Sequence, residues 1–320
     1  MPKMMRTFLF FLCFLGLLHI PLYVKGQAIP PLQMLSPNDQ VTEQRKLPLT
    51  LYFRYRSSAL LGRELRVIPV PASGPYELSV VKALLDGPGS LYPHLSPLFP
   101  PGTQALSIVA EGGTLFVTFN ESIMGRYPDE PLIMTPDYSK GEGILRRRVA
   151  MAGLVNTLTE LGNCRAVQVL VRGETYISTS MRLSQRYYLE DSDVLPDPLI
   201  RQEAYIQGPE SVVQTLFTAW QSDNWANCYP LLISGTKVLP SEHELYEALR
   251  QTPKVLAYSL TSGTVALDGQ SAIVCIDYSL LRNNGSTQEI KALPLKVLMI
   301  DGIFRIPYES LHTLLELPNE

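Results

Sequence analysis

The chain has 320 residues, of which 46% are hydrophobic and 18% are charged, and its formal net charge is −3 at pH 7. This composition provides enough apolar material for buried cores and excludes disorder as the state of the whole chain. The slightly acidic charge excludes a nucleic-acid binder that relies on a broad basic surface. The length suggests two domains, and the small numbers of histidines and cysteines, four of each, limit metal and nucleophile chemistry.

Residues 1–26 have the pattern of a secretory signal peptide. Lys3 and Arg6 precede an uncharged apolar run at 8–18, and the small residue Gly26 ends the segment. An uncleaved membrane anchor is the alternative, although the apolar stretch barely reaches the ~20 residues that a spanning helix needs. We therefore predict export across the cytoplasmic membrane to a secreted or membrane-anchored state, with membrane contact only through this segment if it stays uncleaved.

Three cysteines follow the predicted signal peptide: Cys164, Cys228 and Cys275. An odd number of cysteines in an exported protein excludes a complete disulfide framework. Cys228 and Cys275 could pair with each other or could be two small buried hydrophobic residues. Their apolar sequence neighbours favour the second interpretation.

Residues 27–46 are predicted to be a flexible tether, and residues 47–180 a first globular region of α+β class. Apolar periodicity and turn residues define its elements, with Gly112-Gly113 marking a tight hairpin. In chain order we predict a strand at 49–55, a helix at 73–86, strands at 105–110 and 114–119, a proline-rich excursion at 121–143, a helix at 144–161 and a strand at 166–171. This order predicts helices on one side of a sheet.

Several short sequence blocks of this region occur in the order and at the spacing of a known family. They are Leu51-Tyr52-Phe53, Leu65-Arg66-Val67-Ile68-Pro69, Leu84-Leu85-Asp86-Gly87-Pro88, Phe99-Pro100-Pro101-Gly102-Thr103, Val117-Thr118-Phe119-Asn120, Asn156-Thr157-Leu158-Thr159-Glu160 and Val167-Gln168-Val169-Leu170. Together they resemble the GerM-type (GerMN) domain of sporulation and germination proteins. The resemblance implies an envelope-facing, non-catalytic α/β sandwich that helps to assemble spore-forming machinery, and it supplies no catalytic residues.

Residues 181–207 are predicted to be a linker, because they combine acidic and proline-rich stretches. The run Glu190-Asp191-Ser192-Asp193 offers the hard oxygen ligands that calcium prefers. The ligand spacing of a calcium-binding loop is missing, so a solvated linker is the favoured interpretation.

Residues 208–320 form the second predicted region, in which helices precede strands. Val213, Leu216, Phe217 and Trp220 have helical spacing, and a capping box at Ser241 and Glu244 begins a later helix. Further on, three hairpin dipeptides predict a four-stranded antiparallel meander: Asp268-Gly269, Asn284-Gly285 and Asp301-Gly302. Helices followed by such a meander resemble the NTF2-like cone, in which helices pack on a curved antiparallel sheet around a pocket. That fold hosts enzymes, binders and scaffolds, so it does not determine a function.

Few side chains form a recognisable chemical constellation. Arg146, Arg147 and Arg148 are the only dense basic run and could contact an acidic partner or a cell-wall polymer, although cations are not favoured at a helix N-terminus. In the predicted cone, Asp277, Tyr278 and His243 could line a pocket or serve acid–base chemistry. A solvated helix face is the simpler interpretation for the arginines, and an outward-facing strand carboxylate for Asp277.

The sequence contains no phosphate-binding loop, paired-histidine zinc motif or nucleophile elbow, so we predict no catalytic residues, no metal and no cofactor. We expect a non-enzymatic envelope protein that supports sporulation or germination through contacts with envelope or sporulation-complex proteins, without nucleic acid. One alternative is a binding module that holds a small ligand or cell-wall fragment in the cone pocket. An acid–base enzyme in the same pocket is the third hypothesis.

Overall fold

The computed structural model describes residues 44–173, 180–225, 228–261, 263–282 and 284–315. The predicted signal peptide and most of the predicted tether lie outside the described residues. The tether prediction extends too far, because strand β1 (Gln44–Tyr55) already begins at Gln44. Its first residues pair with the end of an antiparallel neighbour, β2 (Leu61–Pro71), which the sequence analysis did not assign to a strand.

Two sheets make up the first part of the chain. In the first sheet β1 lies between β2 and the short β3 (Leu95–Ser96). The second sheet has the order β4–β5–β6–β7, with β8 also paired to β6. Its strands are β4 (Ala105–Glu111), β5 (Thr114–Asn120), β6 (Ala166–Arg172), β7 (Met181–Arg182) and β8 (Leu199–Ile200). The predicted hairpin at Gly112-Gly113 is confirmed, since both glycines have positive φ angles.

Helix α1 (Glu77–Leu85) and helix α2 (Ile144–Glu160) pack against these sheets. The residues from Val149 to Leu158 are all buried, so α2 lies inside the protein rather than on its surface. Gly153 allows a close approach to β1, because a Cβ atom there would lie 3.0 Å from the Tyr52 carbonyl oxygen and 2.5 Å from the Leu98 side chain. The Tyr52 amide also donates a hydrogen bond to Thr157 Oγ1 (3.1 Å).

The linker predicted at residues 181–207 carries regular structure of its own. This segment contributes β7, β8 and 3-10 turns at Gln185–Tyr188 and Glu203–Tyr205. Leu183 and Tyr187 are buried in the same hydrophobic core as α2, which explains why the segment is held against the protein.

Helices and an antiparallel meander form the second part of the chain, so the α+β class is confirmed. Its elements are α3 (Pro209–Gln221), β9 (Leu232–Ile233), α4 (Glu242–Leu249), β10 (Lys254–Leu260), β11 (Thr264–Val265), β12 (Ser271–Leu281), β13 (Thr287–Ile300), β14 (Ile303–Pro307) and α5 (Tyr308–Leu315). The meander and the capping box of Ser241 with Glu244 match the prediction. The parallel strand β9 and helix α5 were not predicted, and the NTF2-like assignment stays a prediction.

Two hydrophobic cores define a first lobe (residues 44–207) and a second lobe (208–315). The lobes are in direct contact: Ile303 of the second lobe is buried in the first core, and the Arg63 amide donates to the Gly302 carbonyl (2.8 Å). Residues 43–320 accordingly form one compact unit. The predicted domain boundary at residue 208 stays a prediction.

Candidate functional site

The three consecutive arginines lie well inside a helical segment, not at its beginning. An α-helical turn at Pro136–Tyr138 and a π-helical turn at Ser139–Gly143 run directly into α2. The Thr135 side chain caps this segment by accepting a hydrogen bond from the Tyr138 amide (3.3 Å). The expected conflict between the arginines and a helix N-terminus therefore does not arise.

Each of the three guanidinium groups already has a carboxylate partner within the chain. Arg146 pairs with Asp129 (Nη1–Oδ1, 2.7 Å), Arg147 with Glu130 (Nη1–Oε1, 2.7 Å) and Arg148 with Glu190 (Nη2–Oε1, 2.9 Å). The side chains of Arg147 and Glu130 are almost completely inaccessible to solvent. The three cations are thus paired within the chain, although the Arg148 side chain is half exposed, and contact of the run with an acidic partner stays a prediction.

Glu130 is the centre of a buried polar network. It accepts hydrogen bonds from the Tyr127 amide (3.0 Å) and the Tyr138 hydroxyl (3.3 Å) in addition to that from Arg147. Burial alone would raise the pKa of Glu130, but the bonds from Arg147 and Tyr127 outweigh burial and leave the pKa below its usual value. Tyr127 in turn donates to the Leu98 carbonyl (2.8 Å), which ties the network to the first core.

The other end of the excursion is held by a second buried arginine. Arg54 of β1 makes a two-pronged ion pair with Glu142 (Nη1–Oε1, 2.5 Å; Nη2–Oε2, 3.0 Å). Its guanidinium also donates to the carbonyls of Ser57 and Ser58. Paired geometry of this kind fixes orientation as well as distance. The segment from Glu130 to Glu142 is therefore anchored at both of its ends.

Between these anchors the chain exposes two large aliphatic side chains. Leu132 is 88% exposed and Ile133 is 80% exposed, and they follow Pro131 directly. We call residues 129–135 the anchored loop. Single exposed apolar residues are common, whereas Leu132 and Ile133 are adjacent on a loop that buried ion pairs hold.

The sequence analysis did not single out the anchored loop. The only local signal is the apolar triplet Leu132-Ile133-Met134 between Pro131 and Pro136. The pairing of Asp129 with Arg146 and of Glu130 with Arg147 joins residues 17 positions apart, and no periodicity rule predicts such contacts.

Asp277 and Tyr278 both line one surface pocket of the second lobe, whereas His243 lies outside it. Asp277 is on the exposed face of β12 and accepts a hydrogen bond from the Ala292 amide (2.6 Å). Tyr278 points to the opposite face, where its ring packs against Phe217 (5.3 Å between ring centroids) and burial raises the pKa of its hydroxyl. His243 lies on the exposed side of α4. These three side chains do not form a single pocket.

The acidic run at residues 190–193, in the predicted linker, is paired with arginines. Arg186 pairs with Asp193 and lies 3.6 Å from Asp191, while Glu190 is the partner of Arg148. Across the ranges that the structure describes, no group of three or more histidine, cysteine, aspartate or glutamate side chains is arranged to hold a metal ion.

The anchored loop and most of the first lobe lie in one segment that matches a protein family. Residues 50–177 match the family model described as "Germane: Sporulation and spore germination". Residues 50–177 are a GerMN-type domain. The predicted resemblance of residues 47–180 to that family is thereby confirmed, and the match supports a role related to sporulation or spore germination. No curated protein matches the chain.

This chain is similar to several solved structures, and two of them come from the same protein. The tandem GerMN domains of the sporulation protein GerM from Bacillus subtilis are 16% identical, over 47% of this chain and 49% of that chain, with a TM-score of 0.28. The first GerMN domain of GerM is 14% identical, over 47% and 96% of the two chains, with a TM-score of 0.27. A putative lipoprotein from Clostridium perfringens is 13% identical, over 51% and 91%, with a TM-score of 0.26. The chain spans about half the length of the tandem structure.

The described residues also bear on membrane contact. In the segments from 44 to 315 that the structure describes, no helix combines the length and apolarity needed to cross a bilayer. The predicted export signal lies outside these segments.

Proposed function

We propose that this protein is an exported, non-enzymatic envelope protein that supports sporulation or spore germination through contacts with other proteins. The match of the GerMN-type domain supports the biological process. The basic and apolar pattern of residues 1–26 supports export. The distance of His243 from the pocket that Asp277 and Tyr278 line supports a role that does not depend on acid–base chemistry by these three residues.

The anchored loop carries the proposal of protein contacts. Leu132 and Ile133 expose apolar surface that would gain roughly 1.5–3 kcal/mol per side chain on full burial in a partner. The ion pairs of Arg54 and Arg147 hold the loop in place before binding, so less conformational entropy is lost when a partner engages it. An apolar pocket on another protein is the surface that would complement the anchored loop.

The proposal is tested by scoring spores in the organism that encodes the chain. We expect deletion of the gene to lower the yield or the germination of spores, and the wild-type gene to restore it. The double variant Leu132→Ser/Ile133→Ser should fail to restore spores although the protein accumulates normally. Full restoration by this variant would contradict the role assigned to the anchored loop.

A matched control uses apolar residues of equal exposure elsewhere. Val238 is 83% exposed and Leu267 is fully exposed, and both belong to the second lobe. The double variant Val238→Ser/Leu267→Ser removes a similar amount of exposed apolar surface and should restore spores like the wild type. If both double variants fail equally, the effect comes from loss of solubility or stability and the specific role of the loop is refuted.

The ligand-binding hypothesis for the predicted cone has less support. The ring of Tyr278 packs against Phe217 and Trp220 in the second core, and the pocket that Tyr278 lines with Asp277 does not include His243. The cleft between the two lobes is a better candidate for a ligand site than the predicted cone.

A further inference from the structure

A cleft lies where the two lobes meet, and the proposed function does not use it. Its volume is about 250 Å³, and its walls come from β1 and β2 on one side and from the β13–β14 hairpin on the other. That space equals roughly eight water molecules at about 30 Å³ each, which suits a single ring with its substituents. Clefts between compact units are common sites for small ligands.

Arg63 supplies an unpaired cation to this cleft. Its guanidinium lies over the Phe304 ring (5.8 Å to the centroid), and its side chain is half-buried. Among the residues that the structure describes, no carboxylate oxygen lies within 4.0 Å of this guanidinium. Arg201, the other arginine of the cleft, differs because it is bonded to Glu160 (Nη1–Oε2, 2.6 Å) and to Glu203. Asp301 also lines the cleft, but its carboxylate lies 3.5 Å from His94 and 3.9 Å from Arg305, so among the described residues of the cleft the cation without a carboxylate partner is Arg63.

Glu160 supplies an open hydrogen-bond acceptor beside that charge. The Tyr52 hydroxyl (3.1 Å) and Arg201 both donate to its Oε2 atom. Its Oε1 atom accepts no hydrogen bond from any described residue. A ligand that satisfied the cleft would accept from the Arg63 guanidinium and donate to the Glu160 carboxylate.

The remaining walls of the cleft suit a ring. Tyr92 and Leu65 line it, and Leu65 is 58% exposed, so apolar surface is available to the C–H face of a ligand. Hydroxyl donors, an apolar ring face and one anionic group occur together in a sugar that bears a carboxylate or a phosphate. We propose that the cleft between the lobes binds a single sugar ring carrying one anionic group, with the anion on Arg63 and a ring hydroxyl on Glu160.

Binding of three matched sugars to the folded protein tests this proposal by calorimetry or ligand-observed NMR. Glucuronic acid carries a carboxylate, glucose 6-phosphate carries a phosphate, and glucose carries no charge. At least one charged sugar should bind roughly tenfold more tightly than glucose, as a charge-assisted bond predicts. The charged sugar that binds more tightly identifies the anion. No binding, equal binding of glucose, or equally tight binding of inorganic phosphate would overturn the proposal.

Variants locate the site and separate this proposal from the proposed function. Arg63→Gln should abolish the preference for the charged sugar, whereas Arg165→Gln, which removes an exposed charge outside the cleft, should leave it unchanged. Leu65→Trp should fill the cleft and weaken all binding without changing a charge. An unaltered preference in Arg63→Gln would refute the site. The double variant Leu132→Ser/Ile133→Ser should bind sugars normally, so each proposal can fail alone.

Discussion

The backbone amide of Arg63 donates a 2.8 Å hydrogen bond to the carbonyl oxygen of Gly302, and this bond joins the two lobes. Gly302 belongs to the turn between β13 and β14 and has a φ of +82°. A Cβ atom at this position would lie 2.7 Å from the Arg63 carbonyl oxygen. A glycine is therefore required both for the conformation of the turn and for the approach of the lobes.

Gly302→Ala is expected to lower the free energy of unfolding by about 2–4 kcal/mol, because it combines left-handed strain with a backbone clash. Gly269→Ala is the matched control, since Gly269 also has a positive φ (+69°) but no atom within 4 Å of a Cβ. The control should cost about 1 kcal/mol. Denaturant unfolding of both variants checks the difference, and equal losses would show that the lobe contact contributes nothing.

Stability is expected to fall in acid through Glu130. Its pKa is lower in the folded protein than its ordinary value of 4.5, because bonds from Arg147 and Tyr127 outweigh the effect of burial. A lowered carboxyl pKa stabilises the fold above about pH 4.5, and this stabilisation is lost as the pH falls through the folded pKa. The wild type should therefore lose more stability between about pH 7 and pH 3 than Glu130→Gln does.

The wild type and Glu130→Gln should also differ in stability at neutral pH. Glu130→Gln leaves the buried Arg147 charge without its carboxylate, which should cost about 3–5 kcal/mol. Asp129→Asn is the control, because the Asp129 carboxylate is largely exposed and its ion pair with Arg146 should contribute less than about 1 kcal/mol. Parallel curves of stability against pH for the wild type and Glu130→Gln would refute the assignment.

Two tyrosine hydroxyls should have opposite effects on stability. The hydroxyl of Tyr278 is buried and has no hydrogen-bond partner among the described residues, whereas that of Tyr127 donates to the Leu98 carbonyl. Tyr278→Phe should raise the free energy of unfolding by about 1 kcal/mol, and Tyr127→Phe should lower it by a similar amount. A loss of stability in Tyr278→Phe would indicate a polar partner for that hydroxyl.

The three cysteines beyond the predicted signal peptide should differ in reactivity. All three are free; Cys164 and Cys228 are buried, and Cys275 is half-buried. Burial raises the pKa of Cys228 to about 12, which suppresses the reactive thiolate. Iodoacetamide at about pH 8 should modify Cys275 first, with Cys228 and Cys164 reacting only in denaturant. Peptide mass mapping resolves the three sites, and rapid native labelling of Cys228 would contradict its burial.

Local sequence patterns predicted the parts of the fold that depend on local physics. The Gly-containing turns at Gly112, Gly269 and Gly302 require positive φ angles that few other residues adopt, so they marked hairpins reliably. Strand β2 and helix α5 were missed. In β2, Leu65 and Val67 are exposed apolar residues, so the alternation of apolar and polar residues that marks a half-buried strand is obscured.

The functional surfaces depend on contacts between distant residues and could not be predicted in this way. Arg63 and Glu160 meet at the cleft because Arg63 pairs across β1 and β2 with Tyr52, whose hydroxyl donates to Glu160. Arg147 was identified from sequence, but its partner Glu130 is buried by tertiary packing that the sequence pattern does not contain. Sequence identified the three arginines as unusual, and the structure shows that two of them, Arg146 and Arg147, pair with the anchored loop.

Site-specific photo-crosslinking in sporulating cells tests the central claim most directly. A photoreactive amino acid at Ile133 should form a discrete crosslinked product with another protein, whereas the same group at Leu267 should not. Leu132→Ser should remove the product formed from position 133 while the protein level stays constant. No product at position 133, or the same products from positions 133 and 267, would contradict the claim that the anchored loop is the contact surface of this protein.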